Sequence, residues 1–180
     1  EGEDGQARGV LPNSSIRTRA GALGATWLGE AGYFGLSAST YRTNYGIPTG
    51  AHVHAEDDHD HDDADDDHAH EEEEGDGRID LTQNRIELKA GVYEPLSFLE
   101  SVELHGAYND YEHVELEGGQ VGTRFTSEGY DARLQAVQHE VAGWRGAFGL
   151  QLGRVDFAAV GEEAFVPATL TDSWGLSVVQ

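Results

Sequence analysis

Six of the nine histidines in the sequence lie in one short stretch, arranged as three His-x-His pairs. The pairs are His52 with His54, His59 with His61, and His68 with His70. In an extended chain, residues i and i+2 project from the same side, so each pair can offer two imidazole nitrogens to one ion. Imidazole combined with carboxylate suits zinc, and also copper or nickel. The spacing therefore predicts a metal-binding segment with these six histidines as ligands.

Carboxylates surround the histidines. Between Glu56 and Asp76 lie 14 of the 34 acidic residues and no basic residue. Asp58, Asp60 and Asp62 alternate with the middle histidine pair and are further candidate ligands. A run this charged, without a fixed motif spacing, is typical of a flexible collector of cations rather than one rigid site. The simpler alternative is a solvated acidic loop whose histidines play no part in metal binding.

The remaining three histidines lie elsewhere in the chain. His113 occurs in the sequence YNDYEHVE, and it is either a metal ligand or a hydrogen-bonded structural residue. Glu115 and Glu117 follow it. We call residues 46–77 the His-rich segment, and we expect that metal can pass from it to this second region. His105 falls on the polar face of a predicted strand, and we interpret His139 as structural.

The full chain of 180 residues carries 11 Lys and Arg against 34 Asp and Glu, a net charge of −23. This charge excludes a general nucleic-acid binder, which needs a basic face to displace counterions from phosphate. The absence of cysteine excludes disulfides, thiolate metal sites and cysteine nucleophiles. No nucleophile or phosphate-binding motif occurs, so we expect no enzymatic function. Because the sequence begins with Glu1 and contains no methionine, we expect a processed product or a fragment.

Outside the acidic segment, apolar and polar residues alternate, which predicts antiparallel β structure. Leu36 and Leu88, for example, lie on one face of their strands, and Ser37 and Glu87 lie on the other. We predict strands at about 15–28, 33–45, 79–93, 101–114, 130–141 and 147–157, and the start of a seventh at Ser173.

The predicted connections alternate in length. Short turns follow the first, third and fifth strands, and long loops at 46–77, 115–129 and 159–172 follow the others. This asymmetry, with strands of about 11 to 15 residues, is typical of transmembrane β-barrels. A soluble antiparallel sandwich or barrel is the alternative, because its inner face would also alternate. No apolar run approaches the roughly 20 residues of a membrane-spanning helix, so a membrane role would fall to the strands.

Several segments resemble the barrel of TonB-dependent outer-membrane receptors. They are LPNSSIRTRAGALGATWLGEAGYFGLSASTYRTNYGIP, RIDLTQNRIELKAG, YNDYEHVELEGGQVGTRFTSEGYDARLQ and GEEAFVPATLTDSWGLSV. Within that family the chain is most similar to the zinc-uptake (ZnuD-like) type. There, a His- and Asp-rich extracellular loop follows a YG(I/L)P element and precedes an IDL strand. The likeness covers essentially the whole chain.

The resemblance implies a bacterial outer-membrane location and a barrel of about 22 strands closed by an N-terminal plug domain. The chain would supply about seven of those strands as an incomplete up-and-down meander, without the plug and with residues 46–77 as the extracellular loop. His52 and His54, and His68 and His70, match the family's loop positions, whereas the central run cannot be matched residue by residue. The implied cargo is zinc, without an organic cofactor. The implied partners are the TonB complex, the plug domain and outer-membrane lipid.

Two other functions are compatible with the sequence. One is a haem or metal-chelate (siderophore) receptor of the same fold, although haem calls for one or two axial histidines and an apolar cleft rather than three exposed pairs. The other is a soluble metal-binding or adhesion β-protein. The position of the apolar residues discriminates between these classes, because a membrane barrel exposes them on every strand at one height and a soluble sheet buries them.

Overall fold

The computed structural model describes residues 13–48, 77–161 and 164–180. Within these ranges seven β-strands form one antiparallel sheet in which each strand pairs with its sequence neighbours. The strands are β1 Ile16–Gly29, β2 Gly32–Gly46, β3 Arg78–Leu96, β4 Leu99–Glu117, β5 Gln120–Gln138, β6 Ala147–Gly161 and β7 Thr169–Val179. The sheet is open, with β1 and β7 at its edges. The predicted all-β antiparallel meander of seven strands is thus confirmed.

One predicted loop is instead a tight hairpin. β4 and β5 contain 19 residues each, and only Gly118 and Gly119 connect them. Both glycines have positive φ angles, 55° and 81°, which glycine adopts without steric cost and which two-residue hairpins favour. The prediction of a long loop at 115–129 is therefore wrong, because most of those residues continue the paired strands.

The predicted alternation of short and long connections is also wrong. The connections at one end, called the turn end, join β1 to β2, β3 to β4 and β5 to β6. The other end, called the loop end, carries the His-rich connection, the Gly118–Gly119 turn and residues 162–168. Since residues 139–146 at the turn end form no shorter a connection than residues 162–168, loop length alone does not distinguish the two ends.

One face of the sheet is apolar over three successive cross-strand rows near the turn end. Each row crosses all seven strands, and every residue in it is apolar or glycine. The rows are Gly29, Gly32, Val92, Val102, Ala136, Phe148 and Val178; Trp27, Phe34, Ala90, Leu104, Leu134, Leu150 and Leu176; and Ala25, Leu36, Leu88, Gly106, Ala132, Leu152 and Trp174. We call these residues the apolar band, and the face that carries them the band face.

Most of the large side chains of the apolar band are exposed. Leu36 is 51 % exposed, Leu176 73 % and Trp174 75 %. Among the described residues, the only buried hydrophobic side chain is Ile79, at 7 % exposure. A stable domain normally buries the apolar face of a sheet against a second layer. The described residues supply no such layer, so the band needs a covering from elsewhere.

The opposite face, called the polar face, carries charged and amide side chains at the same height. The Arg85 guanidinium lies 2.7 Å from Glu87 Oε1, and Gln151 Nε2 donates a hydrogen bond to Asp131 Oδ2 at 3.0 Å. The predicted separation of Leu36 and Leu88 from Ser37 and Glu87 is confirmed by the β2–β3 register.

Two tyrosines border the apolar band on the side of the loop end. Tyr108 and Tyr130 pair across β4 and β5 in the next row of the band face, and both are exposed. Tyr108 Oη donates a hydrogen bond to Glu128 Oε1 at 2.6 Å, and Glu128 itself pairs with Asp110 in the following row. The band therefore ends at an aromatic border, beyond which the same face becomes polar.

Candidate metal centre

The two ends of the His-rich segment are held together at the loop end. The backbone N–H of Ile47 donates to the carbonyl oxygen of Gly77 at 2.8 Å. Asn13 Nδ2 donates to that same carbonyl at 2.6 Å and to the carbonyl of Ile47 at 2.9 Å. Arg78 donates from Nη1 to Asn13 Oδ1 at 3.1 Å and from Nη2 to Asn44 Oδ1 at 2.5 Å. The segment therefore leaves the sheet and returns to it at one point.

Most of the predicted ligands lie outside the described residues. They are His52, His54, His59, His61, His68, His70, Asp58, Asp60 and Asp62. Their role as ligands stays a prediction from the sequence. The hydrogen bonds of Asn13 and Arg78, which we call the clasp, hold together the two points where the His-rich segment joins the sheet, which we call its root.

His113 is the one predicted ligand that the structure describes, and three side chains surround it on the polar face of β4 and β5. Its Nδ1 forms a 2.9 Å hydrogen bond with Tyr111 Oη. Its ring stacks on Phe125 with centroids 4.5 Å apart and planes 24° apart. Its Nε2 lies 3.7 Å from Glu115 Oε1, and both side chains are largely shielded from solvent, at 22 % and 28 % exposure. The ring is thus fixed in position with one nitrogen directed towards a carboxylate.

This geometry is compatible with two ligands of one zinc ion. With bond lengths of about 2.0–2.2 Å, two ligand atoms on a tetrahedral zinc lie about 3.3–3.5 Å apart, close to the observed separation between His113 and Glu115. Metal binding at Nε2 requires Nδ1–H to donate to Tyr111 Oη, the usual outer-shell contact of a histidine ligand. The Tyr111 phenol is protonated near neutral pH, and its oxygen can accept that bond.

Two ligands do not complete a zinc site, and the described residues provide no third. Residues 13–48, 77–161 and 164–180 contain no group of three or more His, Cys, Asp or Glu placed to hold a metal ion. The remaining ligands would have to come from the His-rich segment or from water. His113 and Glu115 would therefore supply two ligands of a site, which we call the half-site, next to the point where the His-rich segment rejoins the sheet.

No protein-family model matches the sequence. In the described part of the chain, no helix has the length and hydrophobicity needed to cross a membrane. Function is therefore inferred from the placement of residues in the sheet.

The other two histidines lie on β4 and directly after β5. His105 lies on the polar face between Lys89 and Arg133 in the register, and two neighbouring cations oppose the approach of a third. His139 follows β5, and its backbone N–H donates to the carbonyl oxygen of Phe98 at 3.0 Å. The interpretation of His139 as structural stays a prediction, and the neighbours of His105 give it no role as a ligand.

The sequence analysis missed Tyr111 and Phe125 as neighbours of His113. It placed Phe125 in a loop, whereas the register pairs Phe125 directly with His113. The pattern that would have revealed this is Gly118–Gly119 between two alternating segments, which is typical of a hairpin with a two-residue turn.

The half-site at His113 gives a testable prediction. We expect His113→Phe combined with Glu115→Gln to weaken zinc binding at this position about tenfold or more, because both donor atoms are lost. Phenylalanine keeps the stacking on Phe125, and glutamine keeps the shape of the glutamate. Zinc titration of the purified full-length protein in detergent measures the effect. The matched control His105→Phe should leave every zinc affinity unchanged, and an equal loss in that control would remove the assignment.

Proposed function

We propose that the chain forms part of the barrel wall of a TonB-dependent outer-membrane receptor that takes up zinc. The observation that carries the proposal is the apolar band, whose three rows cross all seven strands and whose large side chains are mostly exposed. Lipid chains would remove this surface from water, and the aromatic border of Tyr108 and Tyr130 suits the interface with the headgroups. The charged polar face suits the interior of a barrel, which is wet or filled by a polar plug.

The proposal requires an open sheet to be completed by further strands. β1 and β7 are edges of the described sheet, and an unpaired edge is not tolerated inside a bilayer because its backbone groups find no partners there. A larger barrel satisfies both edges. The plug domain and the TonB complex are the partners that such a receptor would need for transport.

The position of the His-rich segment supports its role in capture. The segment is rooted at the loop end, beyond the tyrosine border and the polar rows that follow it. A sheet inserted at the height of the apolar band therefore holds the segment in water. Imidazole supplies the preference for zinc, since carboxylates alone would suit calcium or magnesium.

His113 and Glu115 are placed to receive zinc from the His-rich segment after capture. Glu115 pairs with Ile79, two residues from Gly77, where the segment rejoins the sheet. His70 precedes Gly77 by seven residues in the sequence, a distance of up to about 25 Å in an extended chain. The last histidine pair can therefore reach the half-site, and a zinc ion held by His68 and His70 would gain two fixed ligands there.

Surface labelling tests this arrangement. These 180 residues contain no cysteine, and Ala64→Cys, made with any cysteine elsewhere in the full-length protein replaced by serine, places a single thiol in the His-rich segment. In the full-length protein on intact cells, we expect a membrane-impermeant maleimide to label this thiol. The matched control Ser97→Cys, in the turn between β3 and β4, should react only after the outer membrane is broken. The reverse pattern would contradict the orientation and remove the segment from capture.

A further inference from the structure

Three arginines lie close together on the band face of β1 and β2, between the apolar band and the loop end. Arg19 pairs directly with Arg42, and Arg17 follows in the next row, paired with Asn44. All three arginines are exposed. Directly opposed residues have Cβ atoms about 4.5–5.5 Å apart, and like charges in that arrangement destabilise a sheet. The chain therefore places positive charge where it costs stability.

Four of the other six described arginines form ion pairs, and Arg78 and Arg133 donate hydrogen bonds to amide oxygens. Arg85 pairs with Glu87, Arg124 with Glu112, Arg145 with Glu100 and Arg154 with Asp172. Within the described ranges, Arg17, Arg19 and Arg42 have no ion pair and no side-chain hydrogen bond. Asp80 and Glu112 lie in the same rows of the same face, so a shortage of nearby carboxylates does not explain this.

The height of the cluster indicates what would neutralise it. Arg19 lies four residues beyond Leu23, which is exposed and is the last large apolar side chain of the band face on β1. Four residues span about 13 Å along a strand, or about 9–10 Å of height at a tilt of about 45°. This is the layer that lipid headgroups occupy on each side of the hydrocarbon core. A guanidinium binds phosphate oxygens with two parallel hydrogen bonds, and Arg is preferred for such sites.

We propose that Arg17, Arg19 and Arg42 bind the phosphate group of a lipid headgroup whose acyl chains lie on the apolar band. This inference depends on the membrane insertion proposed above. An anion between Arg19 and Arg42 converts their repulsion into a shared attraction. In the rows of the three arginines, β3 and β4 carry Asp80 and Glu112 instead. The phosphate site is therefore confined to the first two strands.

Lipid titration of the full-length protein in neutral detergent tests the proposal. The probes are phosphatidic acid, which carries a phosphate monoester, and diacylglycerol with the same acyl chains and no phosphate. We expect the wild-type protein to bind phosphatidic acid at least tenfold more tightly. The triple variant Arg17→Gln, Arg19→Gln, Arg42→Gln should lose that preference. The matched variant Arg124→Gln, on the same face but paired with Glu112, should retain it.

Three results would overturn the lipid assignment. They are equal binding of both probes by the wild type, an unchanged preference in the triple variant, and full competition by millimolar inorganic phosphate, which would indicate a free-anion site. Solubility without detergent tests the membrane proposal separately. In that case the protein would stay in water without detergent, whatever the arginine variants do.

Discussion

Replacing all six histidines of the His-rich segment by alanine is expected to lower the zinc affinity of the full-length protein at least 100-fold near neutral pH. The residues are His52, His54, His59, His61, His68 and His70. This factor corresponds to about 2.8 kcal/mol, and its cause is the loss of the imidazole nitrogens, which zinc prefers over carboxylate oxygens. Isothermal titration calorimetry in detergent measures the affinity. The effect should shrink as the pH falls below about 6 to 7, because protonated imidazole does not bind metal.

Calcium provides the internal control for this variant. Calcium binds oxygen ligands, and the variant keeps all 14 acidic residues between Glu56 and Asp76. Its calcium affinity should therefore equal that of the wild-type protein. A variant that retains wild-type zinc affinity would show that the carboxylates alone capture the ion and that the histidines are incidental.

The second large effect is expected from a charge placed in the apolar band. Leu134 pairs with Leu104 and Leu150 at the centre of the band, and we expect Leu134→Lys to lower stability in lipid by about 2–4 kcal/mol, the cost of a lysine near the bilayer midplane. Gln135→Lys is the matched control one residue away. Gln135 is on the polar face and pairs with Glu103, so a lysine there should be tolerated. Urea titration in lipid vesicles measures both variants.

Two of the three tryptophans provide a direct test of what covers the band. Trp27 and Trp174 lie in it, so their fluorescence should be quenched by vesicle lipids that carry bromine on the acyl chains. Without detergent or lipid we expect the chain to aggregate, because its apolar face and two strand edges are uncovered. A monodisperse soluble monomer with a cooperative melting transition would instead favour a soluble sheet.

The period-two pattern of the sequence predicted the strands and their faces, because alternation alone decides which side chains lie together on one face. It did not predict where strands end. The glycines at 118 and 119 were included in a long loop, although two residues with positive φ close a hairpin. The sequence pattern therefore did not predict that β4 and β5 continue to the loop end. It also did not predict that His113 stacks on Phe125.

Contacts between residues that are distant in sequence depend on the strand register. Arg19 and Arg42 are 23 positions apart in sequence, and only the β1–β2 pairing places them side by side. The clasp at the root of the His-rich segment likewise joins Asn13 to Gly77 and Arg78. Such contacts depend on the exact alignment of strands, which side-chain alternation does not specify beyond the choice of face. The histidine pairs, in contrast, were evident from spacing alone.

X-ray absorption at the zinc edge, on full-length protein in outer-membrane vesicles loaded with one equivalent of zinc, tests the central claim most directly. We predict about four nitrogen and oxygen ligands at about 2.0–2.1 Å, with the outer-shell scattering of imidazole. In the variant that lacks all six histidines of the segment, the imidazole contribution should largely disappear. An all-oxygen shell in the wild type, or identical spectra for the two proteins, would contradict capture of zinc by the His-rich segment.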